Sequence, residues 1–594
     1  MRAISRAWEG MRKAARAEGF AQGDEVMNML WRQQEALRAR TSNGLFNTIS
    51  NVITDASSLY SLGFSPAYVL MNSMQPWLVT APVMSGYVNP AGKAVGMAKS
   101  TRYLKEAYEG ATGFFTKRGL NDFINEGRAL AGAKGTRPSL QETSTQILDT
   151  FAKTDDEKAM LRDLLERGTL DFAWLNSLED AMRGGVAGQK WANLQRLGMA
   201  FPQQIEAMNR VVTALAAYRL AKAEKLTDGS FAALAEFADD IVADTQLDYS
   251  RQNRPLAFNL PGLNVILQFK LYMQGMYMLM ARSAAQSLAK RPQRRENETD
   301  EALAARTKAW QDARTQGRRT FAYMMAAHAA AAGAAGLGPV AGLAKWGLMA
   351  FAAMTPDEDD DWKSGDQLLR EMLTDLMGER AGQVAERGLP VLLGADFSDR
   401  VGLPILFDDR FAQIREGDNA GTQMDKWVLY SLGAPYSNAK RVVSGIGSAV
   451  DGDFAAAAKG LPAGVRAMAT SVQWAKQGVV DRNGDTFIPR EQLGWNELAM
   501  QALGVSPAAT VRAYSERTEV KQTTARILEE RKALLQADRT GKDVREKIRV
   551  FNATVPRPFR IDSEDRDRSR TSKAARERGE ASKQEASVRS MLGG

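Results

Sequence analysis

The sequence predicts a mainly α-helical protein, an elongated multi-helix assembly with one apolar Ala/Gly-rich helical hairpin and a small β-hairpin near 479–488. The 594 residues include 26 methionines and many alanines, which favour helices. Apolar residues recur at helical spacing, as with Ile205, Met208, Val212 and Leu215. Valine and isoleucine rarely alternate with polar residues, so extended sheets are not expected.

Changes in composition divide the chain into seven segments, which glycine and proline residues separate. They are N-terminal amphipathic helices (1–60), a helical core (61–286), a charged helix or linker (287–320), an apolar helical hairpin (321–354), a Gly/Pro-punctuated helical region (355–470), a β-hairpin with C-terminal helices (471–561) and a flexible charged tail (562–594). The N-terminus lacks the apolar core of a signal peptide.

Two local patterns make specific predictions about element limits. Pro202 is placed where a helix over 203–222 would begin. Asn483 and Gly484 between apolar residues form the turn pattern of a β-hairpin. A calcium loop over 481–487 is the alternative, although its glycine and its last ligand position do not fit.

The segment 321–354 stands apart because it has only two ionisable side chains of note. Glycines and a proline at 336–339 break it into two helical arms, 321–337 and 340–354. Each arm would span about 22–26 Å, slightly less than a bilayer core of about 30 Å. The candidates for a membrane hairpin are Phe321, Tyr323, Met324, Met325, His328, Gly336, Gly338, Pro339, Lys345, Trp346, Met349 and Phe351.

Two interpretations of this hairpin stay open. It is either buried in a helical core or oligomer interface, or able to insert into a membrane under some conditions. His328 is then either a packed histidine or, in lipid, a pH-sensing group. The charged segment before the hairpin is either a solvated helix face or a phosphate-binding surface. Its candidate contacts to DNA or lipid phosphate are Arg291, Arg294, Arg295, Arg314, Arg318 and Arg319.

Composition excludes many enzyme classes. The chain has no cysteine and one histidine, so it cannot form a zinc finger, an iron–sulfur cluster, a thiol nucleophile or a two-histidine metal site within one chain. No phosphate-binding glycine-loop motif and no nucleophile-elbow motif is present. The sequence therefore predicts no catalytic residue, cofactor or metal. The net charge of +8 is compatible with DNA or anionic lipid and proves neither.

Several short strings, in a fixed order, carry a resemblance to a known family. They are Leu62–Pro66 (LGFSP) with Asn72 and Gln75-Pro76, Glu206–Arg210 (EAMNR) with Ala216–Tyr218, Asp248–Ser250 with Asn253–Pro255 and Phe269-Lys270, Gly388–Ser398 (GLPVLLGADFS), Leu432–Pro435, Gly452-Asp453, Leu461-Pro462, Ala502–Pro507 (ALGVSP), and Phe551-Asn552 with Pro556. Together they cover roughly residues 60–562. The chain resembles the C-terminal half of the large polyvalent proteins of tailed phages, which include internal virion or ejection proteins.

Many members of that family end in a Pro-Leu-x-Arg-Phe-Gly motif, of which residues 556–560 keep a degenerate form. The resemblance implies a protein that is packaged inside the capsid and then expelled into the host envelope to help form a DNA conduit. The missing catalytic motifs predict that it is not an enzyme. Helical arms with small-residue faces predict a homo-oligomer, because they make a conduit only as rings or tubes. The other expected partners are virion or ejection proteins, the portal or tail, phage DNA without sequence preference, and conditionally the host inner membrane. The alternatives are a virion scaffold or DNA-associated protein that meets no membrane, and a co-injected enzyme.

Overall fold

The computed structural model describes residues 53, 56–130, 147, 150–167, 169–170, 185–246, 270–296, 298–337, 365–401, 434–451, 457–480, 485–540, 543–567 and 569. In these ranges the protein is mainly α-helical, which confirms the predicted fold class. Four predicted features lie wholly or largely outside them: the N-terminal helices, the second hairpin arm, the turn at 481–484 and most of the tail.

The chain forms two compact units, each built from two stretches that are separate in sequence. The first unit comprises Met1–Gly338 and Arg387–Pro507. Its α-helices are α1 (Pro66–Ser73), α2 (Ala81–Gly86), α3 (Met97–Tyr108), α4 (Ala111–Leu130), α5 (Asp155–Arg167), α6 (Gly185–Glu224), α7 (Phe231–Thr245), α8 (Lys270–Leu288), α9 (Asp300–Ala332), α12 (Ser398–Val401), α13 (Ala434–Val450), α14 (Ala463–Gln477) and α15 (Trp495–Ala502).

The second unit comprises Pro339–Glu386 and Ala508–Gly594. It holds α10 (Gly365–Met377), most of α11 (Glu379–Arg387), α16 (Ala508–Arg539) and α17 (Arg545–Thr554). A small apolar core joins α16 to α17 and the residues that follow α17. Its buried members are Ile527, Leu534, Val544, Ile548, Phe551, Val555 and Ile561.

The degenerate terminal motif lies within this second unit. Pro556 precedes a short 3₁₀-helix, Arg557–Phe559. Asn552 fixes the segment after it, because its side chain donates to the Ile561 carbonyl at 2.8 Å and accepts from the Ile561 amide at 2.7 Å. The first residues of the predicted tail also join the unit, since Arg566 pairs with the buried Asp538 of α16 at 2.9 Å.

Helix α6 is the centre of the first unit. Ile205, Met208, Val212 and Leu215 are all buried, as their spacing predicts. The helix is buried on its other faces as well between 207 and 221, because α1, α3, α4, α5 and α7 pack around it. A one-faced stripe therefore describes only part of its environment.

The prediction that a helix begins at Pro202 is wrong, because Pro202 lies inside α6. A proline in a helix interior cannot donate to the carbonyl four residues earlier, which here belongs to Gly198. The amide of Phe64 donates to that carbonyl at 2.9 Å instead. A donor from a distant part of the chain thus replaces the lost intrahelical hydrogen bond, and the helix continues through the proline.

The first arm of the predicted hairpin is not a separate helix. Helix α9 begins at Asp300, after a Thr299 cap, and runs through position 321 without a break. It ends at Ala332, where Gly333 adopts a φ of 63°, and a 3₁₀-turn follows at Ala335–Leu337. The change from charged to apolar composition at 320/321 does not end the helix, because alanine and methionine propagate it well.

Two short antiparallel pairs complete the described part of the first unit. Strand β1 (Ala395–Asp396) pairs with β4 (Ser506–Pro507). Strand β2 (Val479–Val480) pairs with β3 (Thr486–Ile488), which confirms the predicted β-hairpin. Val479 faces Ile488, as a two-residue turn requires, but Val480 faces Thr486 through a local bulge.

Candidate functional site

The described residues of the predicted membrane hairpin lie on α9 and on the 3₁₀-turn after it. Met324 and His328 are buried, and Phe321, Tyr323 and Met325 are half-buried. Gly336 is buried in the 3₁₀-turn. Gly338, Pro339, Lys345, Trp346, Met349 and Phe351 lie outside the described residues. In the described ranges, the helices do not combine the length and the apolar character needed to cross a membrane.

Close backbone contacts hold the C-terminal half of α9 in the first unit. Gly317 approaches α8 so closely that an added Cβ would lie 2.6 Å from the carbonyl oxygen of Ser283. Gly388, with a φ of 91°, packs against Ala331, whose carbonyl carbon would be 2.6 Å from such a Cβ. Glycines on either side of the apolar segment thus allow close backbone approach within a packed core.

His328 is the one histidine of the chain and is almost fully buried. Its Nδ1 lies 2.8 Å from the carbonyl oxygen of Met324, one helical turn earlier. Burial lowers the pKa of His328 below its ordinary value, and the hydrogen bond to Met324 opposes this only in part. In this structure the residue is a packed, neutral histidine.

We expect acidification to destabilise the first unit partly through His328. Its pKa is lower in the folded state than in the unfolded chain, so its contribution to stability is lost as the pH falls below the unfolded value of about 6.5. Urea unfolding at pH 7.5 and pH 5.5 measures the effect. The loss should be smaller in His328→Gln than in the wild type; an equal loss in both proteins would contradict it.

The six arginines proposed for phosphate contact divide into two groups. Arg294 pairs with Asp300 at 3.1 Å, and Arg314 donates to the Ser287 carbonyl at 3.1 Å while lying over the Trp310 ring. The guanidinium groups of the other four, Arg291, Arg295, Arg318 and Arg319, make no hydrogen bond or ion pair with a described residue. Arg294 and Arg314 thus have partners within the protein, and phosphate contact by the six arginines stays a prediction.

A polar cavity of about 420 Å³ in the first unit is the site that sequence reasoning missed. It lies among α13, α14 and the two Leu-Gly-x-Ser-Pro strings. Its lining is almost entirely polar apart from two alanines and a glycine. The lining residues are Tyr60, Ser61, Ser65, Asn438, Arg441, Ala463, Arg466, Ala467, Thr470, Gln501, Gly504 and Ser506.

Two arginines give this cavity its charge. Arg441 on α13 and Arg466 on α14 both line it, and no acidic side chain is among the described residues that do. Arg466 donates to the Tyr60 hydroxyl at 3.1 Å and lies over the Tyr60 ring. The pKa of Arg441 is lowered from its ordinary value, first by partial burial and then by repulsion from Arg466. The cavity is therefore a concentrated positive site.

The first Leu-Gly-x-Ser-Pro string builds one wall of the cavity. Phe64 takes a positive φ of 58°, and its carbonyl oxygen lies against Gly464 of α14, where an added Cβ would overlap it. Ser65 caps α1 by accepting from the Tyr68 amide at 3.3 Å. Asn438 reaches from α13 and donates to the Ser61 hydroxyl at 2.8 Å.

The second string, 503–507, also borders the cavity, through Gly504 and Ser506. Gly504 takes a φ of 78° and approaches both Ala67 and Ala467. Val505 packs with Ala67 and Ala395 in a small cluster. The repetition of Leu-Gly-x-Ser-Pro at 62–66 and 503–507 is the sequence signal that could have pointed to this cavity, since each string supplies a serine to it.

Comparisons with known proteins give no further assignment, because no family model, curated protein or solved structure matches this chain. In the described residues, His, Asp and Glu side chains do not gather in threes as a metal site would require. Whether the chain carries catalytic activity stays a prediction from composition.

Proposed function

We propose that this chain is an internal virion or ejection protein of a tailed phage, packaged in the capsid and expelled to help form a DNA conduit across the host envelope. The observation that carries the proposal is the ordered set of strings between Leu62 and Pro556. The proposal has its support in the sequence, and the positions of those strings in the fold add to it.

Several of the strings in the described ranges lie where distant parts of the chain meet. The Phe64 amide donates to Gly198, and the Asn209 side chain donates to the Asn72 carbonyl at 2.8 Å. Strands β1 and β4 pair the string at 388–398 with the string at 502–507. Residues with such contacts specify a fold more than they specify a reaction, which suits a structural role.

Self-association is part of the proposal, and an exposed apolar stripe supports it. Val465, Met468 and Val472 recur along one face of α14, and Leu461 precedes them. Val443, Ile446 and Val450 form a similar exposed row on α13. Exposed apolar rows of this kind are typical of surfaces that contact a partner, and a second copy of this chain is the partner that we propose for them.

Mass spectrometry of purified particles tests the proposal directly. We expect peptides of this chain in DNA-filled particles, and their loss from particles that have ejected their genome. A chain absent from filled particles is not an internal virion protein. A chain retained after ejection would be a structural component that stays behind, which contradicts the conduit role.

A virion protein that meets no membrane is the second candidate, and the burial of α9 favours it. His328 and Met324 are buried, and Ala331 packs against Gly388, so the described part of the first arm would have to leave its packing to enter lipid. Flotation with anionic liposomes at pH 7.5 and pH 5.0 separates the two candidates. Binding at either pH supports conditional insertion, and its absence at both leaves the scaffold role.

A further inference from the structure

The cavity that the two Leu-Gly-x-Ser-Pro strings border is polar and positively charged, and the proposed virion role does not require it. We propose that it binds the phosphate group of a small phosphorylated polyol, with Arg441 and Arg466 as the charged contacts. The inference stands independently of the proposed function, because it concerns the described residues of one cavity in the first unit.

Charge is the first argument. Arg441 and Arg466 both line the cavity and make no ion pair with a described acidic residue, so no described carboxylate neutralises its positive charge. Two like charges at one cavity repel each other, so the pKa of Arg441, lowered first by desolvation, is lowered further by Arg466. A bound dianion would remove this repulsion, and guanidinium groups bind phosphate oxygens in a two-pronged geometry.

The surrounding donors are the second argument. Helix α14 begins at the cavity with Ala463, and Pro462 before it supplies no side-chain cap. The N-terminus of a 15-residue helix presents amide donors and a partial positive charge. Hydroxyl groups of Ser61, Ser65 and Thr470 also line the cavity. The arginines, the hydroxyl groups and the helix end thus line the same cavity, which distinguishes this site from an isolated helix terminus.

The size and polarity of the cavity indicate which chemical group the phosphate is attached to. A volume of about 420 Å³ falls in the range of small-molecule sites and exceeds the needs of a bare phosphate ion. The remaining lining consists largely of hydroxyl and amide groups, such as those of Asn438, Gln501 and Ser506. Such groups hydrogen-bond to sugar hydroxyls, and the scarcity of apolar surface disfavours a lipid chain or an aromatic base.

Calorimetric titration of the full chain with inorganic phosphate, ribose 5-phosphate and ribose tests the site. We expect saturable binding of both phosphates, tighter for ribose 5-phosphate, and none of ribose. Arg441→Gln should weaken binding about tenfold or more, the usual loss for a charge-assisted contact. Its side chain makes no hydrogen bond to a described residue, so the fold should persist. Arg318→Gln is the matched control and should bind like the wild type.

Three results would overturn the inference. They are no saturable binding of either phosphate, equal affinity in Arg441→Gln and the wild type, or binding of short duplex DNA through Arg441 without binding of the small phosphates. The wild-type protein gives a further readout if the variant is unstable. Millimolar ribose 5-phosphate should raise its Tm above that in ribose with matched sodium chloride, and an unchanged Tm contradicts the site.

Discussion

Replacing Gly464 with alanine should lower the free energy of unfolding of the first unit by about 3 kcal/mol or more. The backbone of α14 lies so close to Phe64 that a Cβ at Gly464 would overlap the Phe64 carbonyl oxygen. Backbone atoms cannot rotate away as a side chain can, so the turn at 62–66 must shift. Phe64 already has a positive φ of 58°, and its amide donates a hydrogen bond to the Gly198 carbonyl, so the turn has little freedom to move.

The neighbouring helix provides a matched control for that substitution. Gly447 on α13 is also a helical glycine, and an added Cβ there meets nothing within 4 Å. Gly447→Ala should therefore be neutral or stabilising by about 0.5–1 kcal/mol, because alanine favours the helix. Urea denaturation of both variants measures the difference. A similar stability for Gly464→Ala and Gly447→Ala would show that α14 and the turn are not in close contact.

The turn at 62–66 also shows what sequence alone could predict. Helical class follows from local patterns, and so does the hairpin at 479–488, because spacing and turn residues act over a few positions. The passage of α6 through Pro202 depends on a hydrogen bond from Phe64, which is distant in sequence. No local pattern contains that donor, so the local rule for proline placed the helix limit incorrectly.

The apolar segment from 321 and the cavity also show what sequence alone could and could not predict. The small residues of the segment from 321 predict close packing, and Ala331 does pack closely, against Gly388 in the turn before a 3₁₀-helix. The boundary of the segment was placed by a change in composition, which marks exposure and not the end of a helix. The cavity between 62–66 and 503–507 needs both strings at once. Its two arginines come from two further helices, so only the fold brings the four parts together.

A buried ion pair between α5 and α6 leads to the second large effect. Arg219 donates two hydrogen bonds to the Glu157 carboxylate, at 2.8 and 2.9 Å, and both side chains are nearly buried. The Lys153 amide also donates to this carboxylate at 2.7 Å. Burial raises the pKa of Glu157, but these hydrogen bonds and the Arg219 charge outweigh it, so the pKa is lowered overall. The carboxylate is thus held ionised in the core.

Arg219→Met should therefore cost about 3–5 kcal/mol, because it leaves a buried carboxylate without its partner. The pH dependence has a defined sign. Since the folded-state pKa of Glu157 is lowered, its contribution is present above the unfolded value of about 4.3 and is lost as the pH falls through the folded value. Wild-type stability should fall with acidification in that range, and the Arg219→Met variant should lose this part of the slope.

An exposed ion pair between the same two helices is the control. Lys222 of α6 pairs with Asp156 of α5 at 2.9 Å, yet both side chains are more than half exposed. Water screens this pair, so Lys222→Met should cost less than about 1 kcal/mol. Urea denaturation at pH 7 compares the two variants on one scaffold. Equal costs would mean that burial does not decide the strength of the Arg219–Glu157 pair, and that α5 is held on α6 by its apolar contacts alone.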